Sequence, residues 1–192
     1  GIAMIVPMGF QLIYNEFDST FVISGIITIT FGILFFLSNI DHLKSINTHQ
    51  AFLLTALSWL SIAVFGSLPF FFSNLNLSIT DSFFESMSGI TTTGATILNN
   101  IENSPKGILI WRAMLQWLGG IGVILMAITL MPIMNIGGMQ LLKISSYDTS
   151  EKILPKSKQI SLRLILVYLF LTLSCAIFYK IMHTKKLMLY IQ

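Results

Sequence analysis

Residues 78–98 read SITDSFFESMSGITTTGATIL. The first part, Ser78 to Ile90, is moderately apolar and has the length of a short helix, about 20 Å at 1.5 Å per residue. The second part, Thr91 to Ala95, separates this helix from a polar segment. A helix of about 20 Å is shorter than the bilayer core of about 30 Å. If the chain lies in a membrane, the stretch predicts a helix that enters partway and then turns back.

The surrounding composition places the chain in a membrane. Of its 192 residues, 54% are hydrophobic and only 10% are charged, against about 25% charged in soluble domains. No Asp, Glu, Lys or Arg occurs in 21–37, 51–72, 113–142 or 164–179. A spanning helix needs about 20 mostly apolar residues. The sequence therefore predicts a multi-spanning protein of the lipid bilayer, and its net charge of +3 is too small and dispersed for a nucleic-acid surface.

The predicted fold is an all-α membrane protein with about five transmembrane helices, one re-entrant pore helix and a filter loop. The first apolar segment, Ile2 to Tyr14, contains Pro7 and is short, so we interpret it as a clipped first span. The other predicted spans are 21–37, 51–72, 111–134 and 164–182. Because the chain begins with Gly1 rather than Met, we expect it to be part of a longer product.

Basic residues orient these spans. Segment 73–106 contains only Lys106, whereas 135–163 contains five Lys or Arg residues. Loops rich in Lys and Arg stay on the cytoplasmic side. We therefore expect residues 73–106 to face outside and 135–163 to face the cytoplasm.

The half-crossing has the features of a cation site. Ser78 and Asp81 fit a capping box at the start of the short helix, which leaves the negative end of the helix dipole pointing into the membrane. Threonines 91–93 prefer extended backbone, and Gly94 can adopt φ values that turn a carbonyl oxygen. Carbonyl rings of this kind bind K⁺ in potassium channels. From spacing alone, a re-entrant pore loop and an ordinary surface loop after an interfacial helix both remain open.

Two longer runs carry a family resemblance. FFESMSGITTTGATIL at 83–98 and WRAMLQWLGGIGVILMAITLMPIMNIGGMQL at 111–141 resemble the first pore unit of the Trk/Ktr/HKT potassium uptake proteins, most closely the membrane subunits of bacterial Trk systems. By position, the resemblance implies that Thr92, Thr93, Gly94 and Ala95 form the filter, with Thr91 flanking it. It also implies K⁺ as the transported ion, bound at Thr92, Thr93 and Gly94, and no covalently bound cofactor.

The resemblance also implies a domain plan and partners. Residues 1–50 would be two leading helices with a cytoplasmic loop, 51–134 a complete pore unit, 135–160 a cytoplasmic linker, and 161–192 the outer helix of an incomplete second unit. The family builds its pore from four units, so the remaining units are expected partners. A homodimer of complete pores, a cytoplasmic nucleotide-binding regulatory subunit and the bacterial inner membrane are implied as well. The alternative is a non-conducting remnant or accessory membrane protein that keeps one pore unit.

Three charged residues lie near the predicted filter. Asp81 and Glu85 are predicted to support the pore helix, and a carboxylate at the depth of Glu85 is expected to be paired. Arg112 has three possible roles, namely binding a neighbouring carbonyl, pairing with Glu85, or extending to the outer interface. We favour the last of these.

The remaining candidates are glycines of the inner helix. Gly119, Gly120 and Gly122 would allow close helix packing or provide a flexible gating point, and packing is favoured. We find no set of residues typical of an enzyme, and the three scattered histidines do not predict a metal site.

Overall fold

The computed structural model describes residues 1–14, 18–38, 48–98, 101, 104–134 and 153–189. Over these residues the regular structure is entirely helical, which confirms the predicted all-α class. After a 3-10 turn at Ile2–Met4, the helices are α1 (Ile5–Ile13), α2 (Thr20–Ser38), α3 (Thr48–Phe72), α4 (Ile79–Ile90), α5 (Lys106–Met134) and α6 (Ile153–Leu189).

Four of these helices are long and apolar enough to cross a membrane. The qualifying segments are Thr20–Ser38, His49–Phe72, Lys106–Ala127 and Ser161–Met182. The apolar stretch Ile2–Ile13 is shorter, so the structure gives four candidate spans where the sequence predicts about five. Helix α6 begins at Ile153, inside the segment predicted as a linker. Residues 135–152 of that linker lie outside the described residues.

The chain divides into two compact units, Gly1–Val123 and Ile124–Gln192. The buried apolar core of the first unit draws on its amino-terminal turn and on α2, α3 and α5. Its members are Met4, Phe21, Phe70, Ile108, Trp111 and Leu115. In the second unit, the described side chains of α6 between 161 and 182 are mostly exposed, as expected of an apolar helix surrounded by lipid or by further helices.

Trp111 joins three helices of the first unit. Its indole Nε1 donates a hydrogen bond to the carbonyl oxygen of Gly66 on α3, at 2.9 Å. Its ring also meets Phe21 of α2 edge-to-face, with ring centroids 6.2 Å apart. Buried indole N–H groups require an acceptor, and here the acceptor is backbone. The start of α5 is thereby fixed against α2 and α3.

Candidate functional site

Helix α4 begins with the predicted capping box. The backbone N–H of Asp81 donates to Ser78 Oγ at 3.1 Å, and the backbone N–H of Ser78 donates to Asp81 Oδ2 at 3.3 Å. The two residues satisfy donors that the first helical turn would otherwise leave unpaired. Because no basic residue lies in the last turn, the negative end of the α4 dipole is not compensated within the helix.

Helix α4 ends in a Schellman motif. The N–H of Thr92 donates to the carbonyl oxygen of Gly89 at 3.0 Å, and the N–H of Thr93 donates to that of Ser88 at 3.1 Å. These are the two bonds that define the motif. Thr92 therefore does not follow the preference of threonine for extended backbone, because Thr92 and Thr93 close the helix by donating to its last carbonyls.

Thr92 has an unusual backbone conformation. Its φ is +59°, at the position of the Schellman motif that glycine normally occupies. A β-branched residue in the left-handed region is an outlier and raises the free energy of the folded state by about 1–3 kcal/mol. Strain of this kind tends to occur at functional sites, and here it falls on the first predicted filter residue.

The segment after the turn, residues 93–98, has no regular secondary structure. Gly94 has φ +76°. Glycine is the residue type that adopts this value without strain. Residues 92–95 are exposed. The carbonyl oxygens of Thr92 and Thr93 accept no hydrogen bond from any other residue that the structure describes. These oxygens are therefore available to a ligand at the carboxyl end of α4.

Arg112 of α5 donates hydrogen bonds to two carbonyl oxygens of this segment. Its Nη2 donates to the carbonyl oxygen of Gly94 at 2.9 Å and to that of Ala95 at 3.4 Å. The hydroxyl of Ser88 donates to the same Ala95 oxygen at 2.6 Å. Both acceptor positions of that oxygen are thus occupied.

The same arginine pairs with Glu85. Arg112 Nε lies 2.5 Å from Glu85 Oε1, and the two side chains are 16% and 0% exposed. The favoured expectation, that Arg112 extends to the outer interface, is wrong, and the other two roles are both present. The physical reason is that a fully buried carboxylate needs a charged partner, and Arg112 is placed to provide it.

Glu85 also binds the residues that follow the exposed segment 92–95. Thr96 Oγ1 donates to its two carboxylate oxygens at 2.9 and 3.1 Å, and the N–H of Ile97 donates to Oε2 at 3.2 Å. The position of Glu85 on the short helix predicts that it is paired, but no pattern in the sequence indicates Thr96, Ile97 or Ser88. Their contacts come from the chain's return path, which no local pattern encodes.

One face of α5 positions these groups. Arg112, Leu115, Gln116 and Gly119 follow helical spacing, so they lie on the same side. A β-carbon at Gly119 would overlap the carbonyl oxygen of Ile90, and one at Gly89 would lie 3.0 Å from Leu115 Cβ. The backbones of α4 and α5 therefore approach closely.

The two other candidate glycines lie further along the same helix. A β-carbon at Gly122 would meet Trp59 Cζ2 at 3.5 Å, an ordinary contact distance. Gly120 is partly buried.

The oxygens that this site presents to a cation are those of backbone carbonyls and threonine hydroxyls. Among the described residues, no group of three or more His, Cys, Asp or Glu side chains could hold a metal ion. The hydroxyl of Thr91 donates to the carbonyl of Met87 at 2.8 Å and lies 2.9 Å from that of Thr93. One strand of carbonyls cannot replace a hydration shell, since the known filters use four.

Comparison with known proteins places the chain in a family. A family model described as TrkH, cation transport protein, matches residues 18–189. The chain is 44% identical over 135 residues to the Trk system potassium uptake protein TrkI of Halomonas elongata, covering 70% of this chain and 27% of that protein. It is 37% identical over 182 residues to TrkH of Escherichia coli K12, covering 91% of this chain and 37% of that protein.

A third relative, Trk system potassium uptake protein TrkG of Escherichia coli K12, is 32% identical over 189 residues, which cover 94% of this chain and 38% of that protein. The chain thus spans between about a quarter and two fifths of the length of these relatives. Since the family model covers nearly the whole chain, the chain belongs to the TrkH family of cation transport proteins.

Proposed function

We propose that this chain supplies one pore unit, residues 51–134, of a Trk-type potassium uptake system in the bacterial inner membrane. The observation that carries the proposal is the exposed segment 92–95 that follows the carboxyl end of α4, where Arg112, itself paired with Glu85, donates to the Gly94 carbonyl. The names of the relatives, which are potassium uptake proteins, support K⁺ as the ion.

In this proposal α4 is a re-entrant pore helix. Its 12 residues give a length of about 18 Å, too short to cross the membrane. Irregular backbone at membrane depth occurs where it lines a cavity or is buried in protein, and the turn after Ile90 is of that kind. The small number of basic residues in 73–106 supports an outward-facing filter loop.

The proposed K⁺ ligands are the carbonyl oxygens of Thr92, Thr93 and Gly94. Ala95, the last predicted filter residue, differs from these because Ser88 and Arg112 already donate to its oxygen. We therefore propose that Ala95 anchors the end of the segment 92–95 and does not bind the ion. The uncompensated dipole of α4 adds negative potential at the same place.

The unit requires partners. A complete ring needs four carbonyl strands, and TTTG occurs once in this sequence. Three further pore units, the first of which would begin with residues 161–192, would complete the pore. A homodimer of complete pores, with a cytoplasmic nucleotide-binding regulatory subunit near 135–160, follows from the family resemblance.

The proposal is tested with a chimaera. This chain replaces the matching 37% of E. coli TrkH in a bacterial strain that lacks its own potassium uptake. The chimaera is expected to restore growth at low K⁺, whereas this chain alone is expected not to restore it. The parent TrkH serves as the positive control.

Two results would contradict the proposal. A chimaera that reaches the membrane but carries no K⁺ would favour the alternative, a non-conducting remnant or accessory protein. Selective K⁺ flux through the isolated chain in liposomes, in a preparation that crosslinking shows to be monomeric or dimeric, would contradict the requirement for four units.

A further inference from the structure

Arg112 and Glu85 together contact four consecutive residues of the chain. Arg112 binds the carbonyls of Gly94 and Ala95, and Glu85 binds Thr96 and Ile97. The two side chains are joined by an ion pair. A single charged pair thus fixes residues 94–97.

We propose that Arg112 is a positioning residue for cation selection, and that Glu85 neutralises its charge so that a cation is tolerated beside it. This inference rests on the proposed function. It assigns to the pair a role in ion affinity and selectivity beyond the stability of the fold.

The positioning role follows from the shape of the guanidinium group. The guanidinium nitrogens form a rigid planar group, so the Nε that pairs with Glu85 and the Nη2 that donates to Gly94 are held at a fixed separation. The contact at Nε is an ion pair and not a hydrogen bond. The orientation of the Gly94 carbonyl is therefore set by a carboxylate on α4 and a backbone position on α5. A lysine has a single ammonium group on a flexible stem and does not fix two directions in this way.

The neutralising role follows from charge. A cation on the Gly94 oxygen would lie close to the guanidinium group, because Nη2 is 2.9 Å from that oxygen. Like charges at such separation repel strongly where water is scarce. The Glu85 carboxylate, fully buried and adjacent to Arg112, cancels that repulsion. Ion affinity should therefore depend on the balance within the pair.

The test uses three variants of the chimaera: Glu85→Gln, the double variant Glu85→Gln with Arg112→Gln, and Arg112→Lys. Uptake of K⁺ is measured for its KM and for its ratio to Na⁺ uptake, alongside the amount of protein in the membrane. The control is Arg163→Gln, which removes a guanidinium group from an exposed side chain of α6.

Removing the charge of Glu85 and removing that of Arg112 should affect the KM for K⁺ and the ratio of K⁺ to Na⁺ uptake differently. In Glu85→Gln, the unneutralised Arg112 should raise the KM for K⁺ about tenfold, the equivalent of one charged hydrogen bond. Adding Arg112→Gln should return the KM towards that of the parent chimaera. The ratio of K⁺ to Na⁺ uptake should remain about tenfold lower than in the parent chimaera. Arg112→Lys should keep the KM and lose selectivity, and Arg163→Gln should change neither.

A merely structural pair would change the amount of protein and leave selectivity unaltered. Parental selectivity in the double variant and in Arg112→Lys would overturn the inference. If the double variant fails to reach the membrane, Ser88→Ala removes the other donor to Ala95 without altering charge. Reduced selectivity in Ser88→Ala supports positioning, and unchanged selectivity in both Ser88→Ala and Arg112→Lys overturns it. Failure of the parent chimaera to carry K⁺ would instead refute the proposed function.

Discussion

The backbone of α5 at Gly119 lies against the carbonyl oxygen of Ile90, the last residue of α4, with no room for a β-carbon between them. Close backbone approach of this kind allows weak Cα–H···O contacts. It also fixes the position of α5 along its own axis relative to the carboxyl end of α4. Since Arg112 lies two turns earlier on the same face of α5, the contact at Gly119 helps to determine where the guanidinium group meets Gly94.

Replacing Gly119 with alanine should therefore separate the two helices. The new methyl group would overlap backbone, which cannot rotate away. We therefore expect the free energy of unfolding to fall by about 1–3 kcal/mol or more, the usual cost of overpacking. The measurement is thermal unfolding in detergent. Gly122→Ala is the matched control, because its β-carbon would meet Trp59 at an ordinary 3.5 Å. Equal unfolding temperatures for the two variants would contradict this packing.

A second close contact joins α3 and α4. A β-carbon at Gly66 would lie 2.6 Å from Ser86 Oγ and 3.3 Å from Leu115 Cδ2. Gly66→Ala should destabilise the chain by about 1–3 kcal/mol. Adding Ser86→Ala removes the closest atom and should recover most of the loss, which a double-mutant cycle of unfolding free energies would measure. Additive effects would show that the two residues are not in contact.

The strain at Thr92 predicts an unusual gain in stability. With φ at +59°, Thr92→Gly should stabilise the fold by up to about 1 kcal/mol, because relief of strain exceeds the entropy lost by glycine. Asn76, at φ +53°, is the matched control, since asparagine tolerates this region and Asn76→Gly should gain less. Destabilisation by Thr92→Gly, measured by thermal unfolding, would contradict the strained conformation.

The sequence predicted much of the fold, because its signals are local. The charge-free runs identified the four long helices, and Ser78 with Asp81 identified where α4 begins. Helix length and capping depend on neighbours within a few residues. The short α1 and the early start of α6 at Ile153 were the exceptions.

The contacts of residues 94–97 were predicted less well, because they join residues distant in sequence. The role of Arg112 depends on Gly94, 18 positions away, and on the burial of Glu85. An arginine at the start of an apolar helix is compatible both with burial and with extension to the interface. The left-handed conformation of Thr92 opposes its own residue preference, so no propensity argument could have found it.

Orientation in the membrane is tested by labelling. In a variant with Cys175, the only cysteine, replaced by serine, Asn74→Cys should react with an impermeant maleimide added outside intact cells. Both Asn74 and His49 are exposed, so His49→Cys is the matched control and should react only after permeabilisation. This expectation follows from the distribution of basic residues. The reverse labelling pattern would place the loop after α3 in the cytoplasm.

The central claim, that residues 92–94 select the cation, is tested most directly at Gly94. A β-carbon there has space, with its nearest neighbour Gln116 Nε2 at 3.5 Å, but φ is +76°. Gly94→Ser should therefore leave insertion unchanged while it distorts the carbonyl that would bind K⁺. The decisive measurement is the ratio of K⁺ to Na⁺ uptake by the chimaera, in proteoliposomes, with and without Gly94→Ser. We expect this ratio to fall about tenfold or more at equal protein amount, and an unchanged ratio would show that residues 92–94 do not select the cation.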